Sequence, residues 1–214
     1  MEALGESRDS KRVVVAITGA SGAIYGIRAL EMLRRRDDIE VHVVISRGGG
    51  LTITQETGRR VAEVAALADV VHPAANVGAS IASGSYGTEG MLVAPCSMRT
   101  VGAIANSLAD NLVVRAADVT LKEGRPLVLM VRETPLHRGH LRILADAADA
   151  GAVIAPPVPA FYHHPTTIDD LVDQTVSRAL DRIAAGLGAA RSWSGLSADV
   201  DPPPSGRTQQ DMRS

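Results

Sequence analysis

Five short and almost purely apolar runs recur along the chain, and a helical pattern follows each of them. The apolar runs span residues 13–18, 41–46, 91–95, 126–131 and 153–154. The helical patterns span residues 24–36, 51–67, 109–122, 137–150 and 168–185. Strands without polar alternation are buried on both faces, and parallel strands need helical crossovers. The sequence therefore predicts one α/β domain with a doubly wound parallel sheet between helical layers, a Rossmann or flavodoxin-like three-layer sandwich.

The two ends of the chain depart from this pattern. Residues 1–11 are mostly polar, and from about Leu187 onward the chain becomes polar and rich in proline. Segments of that composition bury too little apolar surface to fold alone. We therefore expect a disordered N-terminal extension at 1–11, a single ligand-binding domain at 12–186, and a wrapping or disordered tail at 187–214.

Charge and cysteine content argue against several classes of protein. The formal net charge is −2, and the only basic run, Arg34 to Arg36, is followed at once by two acidic residues. This balance argues against nucleic acid or an anionic membrane as a partner. The single cysteine, Cys96, cannot form an internal disulfide and fits a reducing cytoplasm. The polar N-terminus is unlike a signal peptide, and no apolar run reaches membrane-spanning length, so we expect a cytoplasmic protein.

The residues after the first two strands favour a ligand other than a dinucleotide. The first strand leads into "TGASG", where small residues let backbone amides approach a ligand and Ser21 offers a hydroxyl. The glycines at 19, 22 and 26 differ in spacing from the dinucleotide fingerprint. The second strand ends at Ser46, where a dinucleotide fold usually carries an acid for the ribose. The turn is either a nucleotide-binding turn or an ordinary βα turn.

The third strand leads into "PCSMRT", which has the composition of an anion site. Ser97, Arg99 and Thr100 supply hydroxyls and a cation before a helix expected from Val101 onward. The N-terminus of a helix attracts anions through its free amides. The alternative is that Ser97 or Thr100 is a plain N-cap.

The last two strands end in charged and aromatic loops. In "RETPLH", Arg132 and Glu133 either face the ligand crevice or form an exposed ion pair, and Pro135 is expected to start the next helix. The loop at 156–165 holds four prolines and two of the chain's five aromatic residues, and we interpret it as a stiff ligand wall. Its two adjacent histidines have no suitably placed acids, so we expect no metal site. Cys96, at a strand end, is expected to be a buried thiol rather than a nucleophile.

Five stretches together resemble the flavin prenyltransferases of the UbiX type, formerly called aromatic-acid decarboxylases. They read "GASGAIYG", "ASGSYGTEGM", "PCSMRT", "RAADVTLKEGRPLVLMVRETPLH" and "PPVPAFYHHP". The resemblance runs from about Arg12 to Arg182 with little or no gap. It implies that the domain at 12–186 is a flavin-binding catalytic domain that binds FMN, a mononucleotide, at the strand-end loops.

The resemblance also implies a reaction and an assembly. Members of this family join a dimethylallyl group from dimethylallyl phosphate to N5 and C6 of reduced FMN without a metal. The prenylated FMN then serves a separate decarboxylase. The chain has no Asp-rich motif of the kind that holds Mg²⁺ on a diphosphate leaving group, which agrees with metal independence. The family implies a homododecamer whose active sites are shared between subunits, so that Tyr162, Arg178 and Trp193 would serve a neighbour's site.

The resemblance assigns roles residue by residue. The FMN contacts it implies are Gly19, Ala20, Ser21, Ser46, Ser97, Met98, Arg99, Thr100 and Arg132. The residues it implies for the prenyl phosphate are Arg115, Lys122, Tyr162 and Arg178. The catalytic residues it implies are Glu56, Lys122, Glu133 and Trp193. Of these, Glu133 is expected to carry protons, and Trp193 matches a tryptophan of the family only loosely.

Two other functions remain open at this stage. An FMN-dependent cysteine decarboxylase would share the fold, with His72 as its candidate histidine, but the chain lacks the "PAMN"-like substrate motif of that class. A non-catalytic FMN-binding subunit is the other possibility. Both alternatives would bind FMN, and they differ from a flavin prenyltransferase in the reaction carried out at the strand ends.

Overall fold

The computed structural model describes residues 11–190, 192 and 195. Residues 1–10 of the predicted extension and most of the predicted tail at 187–214 therefore lie outside the described residues, whereas Lys11, predicted to belong to the extension, begins the first strand. The strands are β1 (Lys11–Ile17), β2 (Ile39–Ile45), β3 (Val70–Pro73), β4 (Gly90–Cys96), β5 (Leu127–Val131) and β6 (Val153–Ile154). The α-helices are α1 (Ala23–Leu33), α2 (Arg47–Thr57), α3 (Val61–Ala65), α4 (Met98–Ala105), α5 (Leu112–Lys122), α6 (Arg138–Asp149) and α7 (Ile168–Leu180). A short 3₁₀ helix spans Ser80–Ala82.

The strands form one parallel sheet in the order β3-β2-β1-β4-β5-β6. Helices α1 and α7 pack against one face, and α4, α5 and α6 pack against the other. The apolar strands supply both layers because alternate side chains of a strand point to opposite faces. The prediction of a doubly wound parallel sheet is confirmed. The order reverses between β1 and β4, which is where ligands bind in such sheets.

Several helices begin at a capping residue that periodicity did not reveal. Helix α2 begins at Arg47 rather than 51, because Ser46 accepts a hydrogen bond from the amide of Gly49 at 3.0 Å. Helix α4 likewise begins at Met98 rather than Val101. Helix α5 begins at 112 rather than 109, and α6 begins at 138, after the proline expected to start it. Each of these helices starts directly after a polar side chain that accepts a backbone amide.

Two further differences come from short or interrupted elements. The helix expected at 51–67 is two helices, because Gly58 adopts φ 67° and ends α2. Strand β3 was not predicted; it has four residues at the sheet edge, and Val71 in it is 53% exposed. A short edge strand carries too few apolar residues to stand out in the sequence.

The end of the domain lies slightly beyond its predicted boundary. Helix α7 ends at Leu180 rather than 185, yet Leu187 is buried against the α1–α7 layer. The amides of Gly188 and Ala190 donate to the carboxylate of Asp181 at 2.8 and 2.9 Å. Packing therefore continues to Ala190. Within the range that the structure describes, no helix has both the length and the apolar character required to cross a membrane.

Candidate active site at the carboxyl edge of the sheet

A cavity of about 530 Å³ opens where β1 and β4 separate. Its volume lies within the range of about 300–1,000 Å³ that is usual for small-molecule sites. Ala74, Ala75 and Val113 give it apolar surface. Five of the nine predicted FMN contacts line it, namely Gly19, Ser46, Ser97, Arg99 and Thr100. The structure thus brings together loops that are far apart in sequence.

One wall of this cavity is built from bare backbone. A Cβ atom added to Gly19 would lie 2.9 Å from the Cα of Gly48, and one added to Gly48 would lie 3.0 Å from the Cα of Gly19. The turn after β1 and the first turn of α2 therefore touch through their main chains, and any side chain at either position would force them apart. The close approach leaves a shallow surface at which a flat ring can lie near main-chain groups.

Two helix N-termini face the same cavity. Ser97 caps α4, and its hydroxyl accepts from the amide of Thr100 at 3.4 Å. Ser46 caps α2 in the same way. The capping alternative for Ser97 is thus what the structure shows, and it does not exclude an anion. The first-turn amides of a helix have no intrahelical acceptor, so those of Met98 and Arg99 remain for a ligand.

The N-terminus of α1 is already filled by the protein itself. The carboxylate of Glu56 accepts from the amides of Gly22 and Ala23, each at 2.9 Å. Burial alone would raise the pKa of Glu56, but these amides, the Ser21 hydroxyl and the charge of Arg132 outweigh it and lower the pKa. An anionic ligand is therefore left with the N-termini of α2 and α4.

Arg132 and Glu133 follow β5 at this edge of the sheet. The Arg132 amide donates to the carbonyl of Cys96 at 3.1 Å, which extends β5 beside β4. Burial raises the pKa of Tyr25, and the nearby Arg132 charge partly opposes that rise. Glu133 is exposed, and its carboxylate accepts from the amide of Thr134 at 3.0 Å. Arg132 and Glu133 form no ion pair in the described part of the chain. The alternative in which the two residues are an exposed ion pair is therefore wrong.

A second cavity, of about 280 Å³, lies between β6, the proline-rich loop and α7. Tyr162 and Arg178 both line it, together with Met130 and Val153. The Tyr162 ring packs against that of His163 with centroids 4.1 Å apart. Among the described residues, no group of three or more His, Cys, Asp or Glu side chains is placed to hold a metal ion.

Lys122 and Arg115 lie elsewhere in the same chain. Both are on α5, and the Lys122 ammonium pairs with the carboxylate of Glu123. Arg115 donates to the carbonyl of Ala82 at 3.2 Å and pairs with Asp118 at 3.0 Å. Helix α5 packs on one face of the sheet and α7, which carries Arg178, on the other. One chain alone therefore does not gather these four predicted donor-binding residues, and Trp193 lies outside the described residues.

Some residues at the site carried weak signals in the sequence. Thr18 lines the main cavity, although in sequence it only ends an apolar run. Arg47 and Asp110 also line it, and Asp110 pairs with Arg99 at 3.2 Å. An ion pair across eleven residues of loop and helix is not visible in a sequence pattern. Asn111, the N-cap of α5, was the one such residue that capping chemistry could have revealed.

Cys96 and His72, the two residues considered for other kinds of chemistry, both lie in the interior of the protein. Cys96 is fully buried, which confirms the predicted buried thiol, and burial raises the pKa of that thiol. His72, the candidate for a cysteine decarboxylase, is also buried. Its Nε2 lies 2.8 Å from Nδ1 of His42, whose Nε2 lies 2.7 Å from the Glu40 carboxylate. His72 thus belongs to a buried polar network and does not line the cavity.

Comparison with known proteins agrees with this geometry. The model of the Flavoprotein family matches residues 1–180. The flavin prenyltransferase UbiX of Escherichia coli is 56% identical over 177 residues, which cover 83% of this chain and 94% of that protein. UbiX of Thauera aromatica is 51% identical over 184 residues, covering 86% of this chain and 94% of that protein.

Solved structures are similar over nearly the whole described domain. A UbiX crystal structure in complex with FMN and dimethylallyl pyrophosphate has a TM-score of 0.84 and 47% identity, covering 88% of this chain and all of that one. A dodecameric FMN-dependent UbiX-like decarboxylase from Escherichia coli has a TM-score of 0.82 and 46% identity, covering 86% of this chain and all of that one.

Proposed function

The chain belongs to the Flavoprotein family and, within it, to the flavin prenyltransferases of the UbiX type, and we infer that it joins a dimethylallyl group to FMN. One observation carries the placement of the flavin: two helix N-termini and a main-chain wall surround one cavity at the switch point of the sheet. These groups suit a ligand with a flat ring and a phosphate. FMN is here the substrate that becomes the product.

We propose that the phosphate of FMN is held where α2 and α4 begin. Ser97, Met98, Arg99 and Thr100 offer first-turn amides, hydroxyls and a guanidinium, and Ser46 lies opposite. The ring is assigned to the small-residue turn of Gly19, Ala20 and Ser21 and to Arg132. The carboxylate of Glu56 supports this turn from behind, because it occupies the N-terminus of α1.

The prenyl donor is assigned to the cavity that Tyr162 and Arg178 line. A guanidinium binds phosphate oxygens in a bidentate manner, and a tyrosine ring can face an allylic cation. Lys122 and Arg115 lie on the opposite face of the sheet, so we propose that they meet this cavity in an oligomer. A homododecamer with shared sites would bring them there from another copy, as the dodecameric relative suggests.

The reaction that these residues would support has two bond-forming stages. The allylic carbon–oxygen bond breaks, the phosphate leaves with the electron pair, and N5 of reduced FMN bonds to the allylic carbon and loses its own proton to the departing phosphate. The remaining alkene then gains a proton, C6 bonds to the resulting cation, and C6 loses its proton. Lys122, Arg115 and Arg178 would hold the leaving phosphate without a metal. Glu133 would give the first proton and take the second.

Glu56 is assigned a different role from Glu133. Its lowered pKa and its two amide donors keep its carboxylate ionised near neutral pH. An ionised carboxylate is a poor proton donor but can stabilise developing positive charge beside the flavin. We therefore propose Glu56 as an electrostatic and positioning group, with Trp193 as a further aromatic partner of the cation.

A single assay tests the proposed activity. Purified protein is mixed without oxygen with reduced FMN and either dimethylallyl phosphate or dimethylallyl diphosphate, and the flavin is followed by absorbance and mass. We expect a flavin that carries the added dimethylallyl unit. The donor that reacts faster shows whether the protein prefers the monophosphate or the diphosphate. Unchanged flavin with both donors contradicts the proposal. Restoration of a prenylated-FMN-dependent decarboxylase by the product would test the proposed handover.

A further inference from the structure

Thr18 joins the two strand ends between which the main cavity opens. The residue is 2% exposed. Its hydroxyl donates to the carbonyl of Pro95 at 2.7 Å and accepts from the amide of Ser97 at 2.9 Å. Its own amide donates to the same Pro95 carbonyl at 3.2 Å. One buried side chain therefore links the exit of β1 to the exit of β4.

This link lies where regular strand pairing has stopped. The last paired residues of β1 and β4 are Ala16 and Val93. The pairing of β4 with β5 is itself irregular between Val93 and Cys96. Pro95 has no amide hydrogen and cannot donate to a neighbouring strand. Past the end of the ladder, the Thr18 hydroxyl thus supplies contacts that backbone pairing no longer provides.

Both ends of the link lead directly into the loops assigned to FMN. Gly19 follows Thr18, and Ser97 caps α4. We propose that Thr18 is a positioning residue for the flavin, whose hydroxyl holds the turn at 19–21 and the N-terminus of α4 at 97–100 at the separation that FMN requires. The inference rests on the proposed function, because it takes FMN to be the ligand of this cavity.

The chemistry of the link predicts which substitutions matter. Valine has the shape of threonine but no hydroxyl, so Thr18→Val leaves the part-buried Ser97 amide without its acceptor and removes one of the two hydrogen bonds to the Pro95 carbonyl. A donor largely shielded from water and without a partner is costly, and outward movement of Ser97 relieves that cost by admitting water. Serine keeps the hydroxyl and loses only a methyl group. The variants therefore separate the hydrogen bonds from the packing.

The test is FMN binding to the full-length protein, measured by calorimetry well below the melting temperature. We expect Thr18→Val to weaken FMN binding about tenfold and Thr18→Ser to bind within about twofold of wild type. Thr120→Val is the matched control, because Thr120 is also buried, at 3% exposed, and its hydroxyl donates to the Ala116 carbonyl within α5. That variant should bind FMN as wild type does.

The outcomes distinguish this inference from the proposed function. If wild type binds FMN and Thr18→Val binds it equally well in the same oligomeric state, the positioning role is wrong. If Thr18→Ser is as weak as Thr18→Val, the hydroxyl is not the cause and the inference is again wrong. Should Thr18→Val not fold, Thr18→Cys replaces it and is compared with Thr18→Ser, since the two differ only by sulfur and oxygen. Failure of wild type to bind FMN would overturn the proposed function itself.

Discussion

Five of the nine residues predicted to hold the flavin line one cavity of a single chain, whereas the residues predicted to hold the prenyl donor do not meet within one chain. On the flavin side, Gly19, Ser46 and Ser97 come from three strand ends and line one cavity. On the donor side, Tyr162 and Arg178 line a cavity that Lys122 cannot reach, because α5 and α7 pack on opposite faces of the sheet.

This difference follows from the topology of a parallel sheet. All of its strands end at the same edge, so residues directly after the strands converge whatever their separation in sequence. Residues inside a crossover helix do not share that property, because helices are distributed over two faces. Convergence of the flavin loops is therefore a property of the fold. We propose that convergence of the donor-binding residues comes from a second copy of the chain.

The largest effect is expected at Glu133, the proposed proton carrier. Glu133→Gln keeps the shape of the side chain and removes its ionisation. It should bind both substrates and form the bond at N5, then slow the closure of the new ring by about 10²–10⁴-fold, because the proton carrier is gone. Mass and absorbance of the flavin after rapid mixing report the stage reached. Ring closure at the wild-type rate would show that Glu133 is not the proton carrier.

A smaller and more selective effect is expected at Arg178. Arg178→Ala should raise the KM for the prenyl phosphate by about 10–100-fold, because a charge-assisted phosphate contact is lost. FMN affinity should stay near wild type, since Arg178 does not line the flavin cavity. Arg35→Ala, at an exposed arginine after α1, is the control and should change neither quantity. Loss of FMN binding with an unchanged KM for the donor would reverse the assignment of the two cavities.

Mixed oligomers test directly whether the donor site is shared. Lys122→Ala and Arg178→Ala are each expected to be weakly active alone. If each site takes these residues from two different copies, about a quarter of the sites in a random equal mixture are intact, and activity recovers accordingly. Coexpression with two different tags, followed by tandem purification, gives such mixtures. No recovery in a mixed oligomer would mean that both residues act within one chain.

The features that could be predicted from the sequence are those at strand ends, and the features that could not are those that depend on how the helices pack. The sheet, its parallel sense and the flavin loops were predictable because apolar runs and strand-end residues are local signals. The helix starts at Arg47 and Met98 were missed because a single capping serine, not periodicity, defines them. The separation of Lys122 from Arg178 could not be predicted from local pattern, since the face on which a helix packs depends on the order of the strands. Strand β3 was missed because it is short and two of its four residues are exposed.

The smallest expected effect concerns Glu56, which supports the flavin turn from within the chain. Its carboxylate accepts two amides at the start of α1, and its pKa is lowered from an ordinary value of 4.5. A carboxyl with a lowered folded-state pKa stabilises the fold above its unfolded pKa, and that contribution is lost as the pH falls through the lowered value. Because the side chain is largely exposed, the contribution should be only about 0.3–1 kcal/mol.

Glu56→Gln should therefore lower the free energy of unfolding by that amount at pH 7, and the difference from wild type should shrink steadily below about pH 4.5. Urea titrations of both proteins at several pH values measure it. Glu89→Gln is the control, because the exposed Glu89 side chain makes no hydrogen bond or ion pair with the residues that the structure describes. A difference that stays constant from neutral to acid pH would mean that glutamine loses packing rather than charge. Packing of the Glu56 side chain, rather than its charge, would then stabilise the flavin turn. The flavin turn would in that case differ from the donor site, where binding is proposed to depend on charged side chains.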